Sequence, residues 1–343
     1  MQMGFFDREN RLEKLDRLGD SLVRLNNVIQ WERFRPILTQ ALRKEPKGPG
    51  GRPPYDCILM FKILVLQRIY NLSDDQIEFQ KINDRITFMR FLGLHLEDRV
   101  PDAKTIWNFR DTLSRSEVIR ELFDAFNQQL EEAHIITREG SIVDATFVDA
   151  PRQRNTRAEN ACIKDGGIPE GWQTEENVHK LRQKDTDARW AKKGEELHYG
   201  YKNHVKADAD SKIITDYVVT SANVHDSRAL PALVDDKDNV LYADSAYAGK
   251  ELQESLPETV ECRIHEKGCR KRPLTEEQKA RNREKSRIRV RIEHIFGYMT
   301  MSLHGLTVRS IGIARAKFNV GLTNLTYNLC RYEILSRALG HVG

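Results

Sequence analysis

Apolar residues recur at helical spacing through the first 43 positions, where Leu12, Leu15, Leu18, Leu22 and Leu25 are followed by Ile37, Leu38 and Leu42. The polar stretch KEPKGPGGRPP at 44–54 breaks that period and reads as a hinge or linker. A succession of short helices is predicted next: 55–70, 74–82 opened by Ser73 as a cap, 84–93, 103–113 opened by Asp102, and 116–134. After Gly140 the period changes from helical to alternating. GSIVDATFVDAP (140–151) reads as a strand, and HVKADADSKIITDYVVTSANV (204–224) as two strands joined by a polar turn at Asp210 and Ser211. A short helix (226–234), a strand (239–244), a helix (249–256), a strand (260–265) and a long helix over roughly 275–303 follow, then an amphipathic helical region at 311–337. The pattern therefore predicts an α/β chain, with an all-helical N-terminal domain ahead of a mixed sheet flanked by helices. The expected divisions are a helical extension (1–44), a helical domain (45–135), a sheet domain (136–310) and a C-terminal helical region (311–343). Residues 151–196 carry no sustained period and read as an insertion between the first and second strands, a length of loop that is usually functional or disordered.

Composition agrees with two ordinary cores: of 343 residues, 39% are hydrophobic and 31% charged. An apolar run such as 59–67 is interrupted by Lys62 and falls short of the roughly 20 residues a bilayer span needs, so no membrane role is expected. The first residues, MQMGFFDREN, lack the apolar stretch of a secretory signal, which predicts a cytoplasmic protein. Five scattered cysteines suit reduced thiols. Cys262, His265 and Cys269 invite a zinc reading, set aside because a structural site wants four ligands and no second close pair is near. Net charge is only +4, but positive charge is concentrated in 263–291 and, more weakly, in 179–193. Such clusters suit a phosphate backbone, and an insertion at 151–196 beside a sheet could close over DNA. The short N-terminal helices, with Arg85, Arg90, Lys104 and Arg110 among them, are compatible with a helix-turn-helix DNA reader.

Three carboxylates stand out against this frame. Asp144 interrupts an apolar strand, where a charge needs a partner or a metal. Asp244 closes the strand NVLYAD, at the carboxyl edge where α/β sheets place functional groups. Glu293 borders the apolar stripe of the long helix formed by Ile288, Ile292, Ile295, Phe296 and Met299, with Arg289 one turn earlier. If that helix packs beside the central strands, the three acids converge, and divalent ions are the economical way to neutralise them.

The segments IVDATFVDAP (142–151), HYGYKNHVKAD (198–208), ANVHDS (222–227), LYADSAYAGK (241–250), RVRIEHIFGYM (289–299) and NLTYNLCR (324–331) closely resemble the IS-five family of bacterial insertion-sequence transposases. RPPYDCILMFKILVLQRIYNLSDDQIE (52–78) is similar to their N-terminal helical domain. The resemblance implies a ribonuclease-H-like catalytic domain with Asp144, Asp244 and Glu293 as catalytic and metal-binding residues. It also implies two Mg²⁺ ions per active site, with Mn²⁺ as a substitute, and a DNA transposase that cuts at terminal inverted repeats and joins the freed 3′-hydroxyl to target DNA. Expected DNA contacts are Arg289, Arg291, Lys202, His204, His225, Arg287 and Lys285. In the wider group a Tyr, Arg, Glu and Lys stripe lines the Glu helix. This chain offers Ser286, Arg289, Glu293 and Thr300, with Arg291, Arg309 or Lys317 as replacements for the missing Lys. Expected partners are double-stranded DNA, as transposon ends and target, and further copies of the chain in a dimer or higher assembly at the bacterial nucleoid. Competing readings are a metal-dependent nuclease without strand transfer and a catalytically impaired derivative that only binds DNA.

Overall fold

The structure is a computed structural model that describes residues 7–43, 53–249, 252, 254–268 and 272–340. Most of the predicted linker at 44–54, parts of the predicted helix at 249–256, and Cys269 lie outside the described residues. The chain divides into two units, one running to Phe126 and resuming at Asn328, the other spanning Asn127–Tyr327.

The first unit is helical throughout: α1 (Asp7–Arg17), α2 (Ser21–Val28), α3 (Arg35–Leu42), α4 (Cys57–Tyr70), a π-helical segment (Gln76–Ile82), α5 (Ile86–Leu92) and α6 (Ala103–Arg115), then the start of α7 (Ile119–Glu132). α4 is apolar almost all round and is therefore the helix that the others cover. Phe61, Ile63, Leu64, Val65 and Leu66 are fully buried, and Asp56 starts the helix by accepting from the amides of Ile58 and Leu59. Edge-on aromatic pairs fill the centre, with Trp31 against Phe91 at 5.6 Å and Phe34 against Phe61 at 5.1 Å. Lys62 survives there because its ammonium donates to Asn26 Oδ1 (2.7 Å) and to the Phe91 carbonyl (3.2 Å). Arg90 and Arg110 are held by Asp16 and Asp74, and Arg85 lies over the Phe88 ring.

The second unit is built on six strands: β1 (Ser141–Asp149), β2 (Arg189–Lys193), β3 (Glu196–Asp208), β4 (Ile214–Ser221), β5 (Val240–Ala243) and β6 (Glu261–Ile264). β3 is the longest and pairs antiparallel with β1 along one edge and with β2 and then β4 along the other. On the far side of β1, β5 and β6 add in parallel. Apart from the short β2, three antiparallel strands (β1, β3 and β4) continued by two parallel ones (β5 and β6) about a central first strand is the ribonuclease-H-like arrangement. Gly200 sits where β3 changes partner from β2 to β4; with φ +149°, a Cβ there would overlap the Val148 carbonyl oxygen, so only glycine fits. Val143, Leu241, Ala243, Tyr247 and Ile264 form the core on one face, covered by Leu230 from the 3₁₀ segment Asp226–Ala232 and by Leu233 just after it. A buried ion pair fastens the root of the sheet: Lys206 donates to Asp238 at 2.8 Å, and Asp238 also accepts from the Ser141 hydroxyl and the Asp235 amide.

The stretch 151–196 is ordered into elements, contrary to the aperiodic insertion expected. It contains α8 (Arg157–Lys164), α9 (Val178–Gln183), two short 3₁₀ turns and β2. Each element is too short to show a period. Buried Trp172 donates to Glu159 at 2.7 Å, and Tyr201 on β3 donates to Asp185. Asp185 and Asp187 reach on to the amides of Gly312 and Ile313, at the start of α12 (Ile313–Ala338). The helix expected over 275–303 is two, α10 (Glu276–Arg289) and α11 (Arg291–Met301). Val290 between them has φ −57° and ψ −18°, close to 3₁₀ geometry. α10 buries no side chain, whereas Ile292, Ile295 and Met299 of α11 are buried, so the two halves answer to different surroundings. Among the described residues no helix is long and apolar enough to cross a membrane.

Candidate active site

Asp144 lies midway along β1, and strand register carries Asp244 to it. β1 and β5 run parallel with Ser141 opposite Leu241 and Ile142 opposite Tyr242, and the same offset puts Asp144 opposite Asp244, the residue after β5 ends. Neighbouring strands stand about 4.8 Å apart, so the two carboxylates belong to one sheet edge. Asp244 is held in place as a cap, accepting from the Ala246 amide at 2.7 Å. Asp144 Oδ1 accepts from the Ala145 amide (2.8 Å) and Oδ2 from Arg289 Nη1 (2.8 Å). Arg289 ends α10, and its Nη2 lies 3.7 Å from Glu293 Oε1 on α11. Burial pushes the Asp144 carboxyl up to about 6, with Asp244 and Glu293 adding to the rise and the Ala145 amide and Arg289 opposing it. Glu293 itself is half exposed.

The donor set is entirely oxygen, and ionised Asp144 is costly where it lies, which suits a hard divalent cation. As the side chains stand, no group of three Asp, Glu, His or Cys is arranged to hold a metal ion among the described residues. Arg289 provides the positive charge at Asp144 instead. Tyr247, three residues after Asp244, is buried with its hydroxyl unpartnered among the described residues. Its phenol is pushed far up by burial and by Asp226, Asp144 and Asp244. The aromatic in the turn DSAYAG was the available sign of it.

The other expected DNA contacts scatter. Phe147 pairs with Lys202 and Ala145 with His204. Alternation along β1 therefore puts Lys202 and His204 on the sheet face opposite Asp144. Lys202 donates to Asp226 (2.7 Å) and to the Val224 carbonyl (2.8 Å) across the Phe147 ring. His204 needs correction as a DNA contact: it is fully buried, bonds Thr220 at 2.9 Å, and is pushed down to about 4 by burial, so it stays neutral inside the sheet. His225 caps the 3₁₀ segment after β4, bonding the Ser227 hydroxyl at 2.7 Å. Arg291 donates to Asp210 and the Ala209 carbonyl, both at 2.7 Å, and Lys285 to the Ile264 carbonyl at 2.7 Å. Arg287 is exposed on α10, as is Arg283 one turn earlier. Ser286 bonds the Asn282 carbonyl (2.8 Å) and His265 (3.3 Å) rather than facing outward.

A ribonuclease-H-like sheet with two acids on adjacent parallel strands and a third on a flanking helix defines the class of DDE enzymes. The family profile described as "Transposase DDE domain" matches residues 136–329, and that described as "Transposase domain (DUF772)" matches residues 9–112. The chain belongs to the DDE-domain transposases, of the kind typical of bacterial insertion sequences. It is also similar to a cryo-EM structure of piggyBac transposase in a synaptic complex with hairpin DNA, at 12% identity and a TM-score of 0.48, over 94% of this chain and 76% of that one.

Proposed function

We propose that this transposase binds the terminal inverted repeats of an insertion sequence, cuts at the ends and joins the freed 3′-hydroxyl to target DNA. Asp144, Asp244 and Glu293 are the residues that would hold two Mg²⁺ ions, or Mn²⁺ in their place. When bound, such ions activate the attacking oxygen and stabilise the leaving one in an in-line displacement. The observation carrying the reading is the shared register of Asp144 and Asp244 beside the helix that bears Glu293, in a chain matched over 136–329 by the DDE profile. Around that site the chain's own groups orient DNA. The exposed guanidiniums of Arg283 and Arg287 stand one turn apart on a helix with no buried side chain and are suited to successive phosphates. Lys202, His204 and His225 serve by bracing β3 and β4 behind the site. Work on two transposon ends calls for a dimer or larger assembly.

The test is an end-oligonucleotide assay in Mg²⁺ with precut and uncut duplexes. Asp144→Asn, Asp244→Asn and Glu293→Gln are expected to abolish cutting and joining while duplex binding persists. Unchanged DNA processing by Asp144→Asn would refute the site, and nicking without any joined product would reduce the chain to a nuclease.

A further inference from the structure

Arg289 stands where a cation is expected. Its guanidinium donates to Asp144 Oδ2 at 2.8 Å and approaches Glu293 Oε1 at 3.7 Å, bridging two of the three acids. Its Nε is buried with no hydrogen-bond partner among the described residues, so the pairing leaves one donor unused. A bidentate grip on a phosphate needs the paired donors of the fork, so the Nη–H committed to Asp144 must leave it for such a phosphate to bind.

The arginine is also carried differently from the acids it bridges. Glu293 rides on α11, anchored by Ile292, Ile295 and Met299, whereas no side chain of α10 is fully buried. Polar contacts join α10 to the strand beside it and the residues just after, as Asn282 with Glu266 and Lys285 with the Ile264 carbonyl, and Ile288 is only half-buried. The break at Val290 falls between Arg289 and Glu293. Movement of Arg289 therefore requires no displacement of Glu293.

Building on the proposed function, we infer that Arg289 is a stand-in cation in the DNA-free protein, and that capture of its guanidinium by a DNA phosphate releases Asp144 to a metal ion. Metal and phosphate then bind with positive coupling, and by linkage each strengthens the other. The metal site is held at reduced affinity until DNA arrives, which limits cutting at stray sequences.

The experiment is a Mn²⁺ titration of the full chain, with free Mn²⁺ read by electron paramagnetic resonance at fixed pH. Without DNA, Arg289→Met is expected to bind Mn²⁺ about tenfold tighter than the unaltered chain, a step within the usual range of couplings. A short end duplex, after subtraction of ions held by the duplex itself, should tighten Mn²⁺ binding by the unaltered chain and leave Arg289→Met unmoved. Equal or weaker Mn²⁺ affinity in Arg289→Met, or equal tightening of both chains by duplex, overturns the inference. Should Arg289→Met not fold, Arg289→Gln, which removes the charge and keeps a polar side chain, is expected to bind Mn²⁺ more tightly than the unaltered chain, and no gain there overturns it equally. Asp144→Asn separates the two levels. If it leaves Mn²⁺ binding intact, the metal-site assignment itself fails and this inference with it; if it abolishes binding while Arg289→Met changes nothing, only the stand-in role fails.

Discussion

Replacing Asp144 with Asn should make the metal-free protein more stable at neutral and alkaline pH. Burial, reinforced by Asp244 and Glu293, holds this carboxyl at about 6 in the folded chain, against an ordinary 3.8. A raised acid keeps its proton longer when folded than when unfolded, so ionising it weakens the fold. The loss is absent below about pH 4, grows as pH rises from about 4 to about 6, and is complete above that. A rise of this size corresponds to about 3 kcal/mol. Screening is slight, because the side chain is only 17% exposed. Asn has nearly the same volume, and its amide oxygen can still accept from Arg289, so the substitution removes the charge and little else. Urea unfolding in EDTA, followed by fluorescence of Trp172 and Trp190 in the same unit, should show a gain of about 2–3 kcal/mol at pH 8 and almost none at pH 4. An Asn variant no more stable at pH 8, or one equally stabilised at both pH values, would refute the reasoning. Added Mg²⁺ should stabilise the unaltered chain at pH 8 and not the variant.

Lys206→Met should destabilise the second unit by about 3–5 kcal/mol in the same unfolding assay, because Asp238 would remain buried without its cation, and adding Asp238→Leu should recover much of that loss. Neutralising Arg283 or Arg287 with Gln should weaken duplex binding about equally for all sequences and lower the salt slope of log affinity by about 1 each, measured by fluorescence anisotropy from 50 to 200 mM salt. Asp187→Ala should cost about 1 kcal/mol by uncapping α12, visible as faster amide exchange at its first turn.

Elements with a repeating apolar face were legible in the sequence, even strands as short as β5 and β6. β1, β4, β5, β6, α4 and α6 fall close to where periodicity placed them, because a half-buried strand or a core helix must repeat its apolar face. Asp144 was legible for the opposite reason, as a charge where the pattern asked for an apolar residue. The elements of the 151–196 stretch were not: α8, α9 and β2 present almost no buried apolar face, and their best local sign was the capping box of Thr156 and Glu159. The break at Val290 was hidden because helical propensity continues across it while burial does not. His204 misled because a polar run in β3 reads as surface, and only the pairing of β3 with both neighbours shows that Lys202, His204 and Lys206 point inward to their own partners. Arg289 reaches Asp144 across 145 positions, a contact no local pattern encodes.

The pairing of Asp144 with Asp244 is set by how β5 docks on β1, with Asp238 ahead of β5 bonded to Ser141 of β1, and the excursion 151–196 takes no part in that register. Segments can therefore lengthen or shorten there without disturbing the spacing of the two acids, provided β5 keeps its alignment. A slip of β5 by one residue would turn Asp244 to the other face with no change in composition. Insertions into the excursion after β1 should thus leave the two acids in register, while the few residues from Val240 to Asp244 carry the constraint.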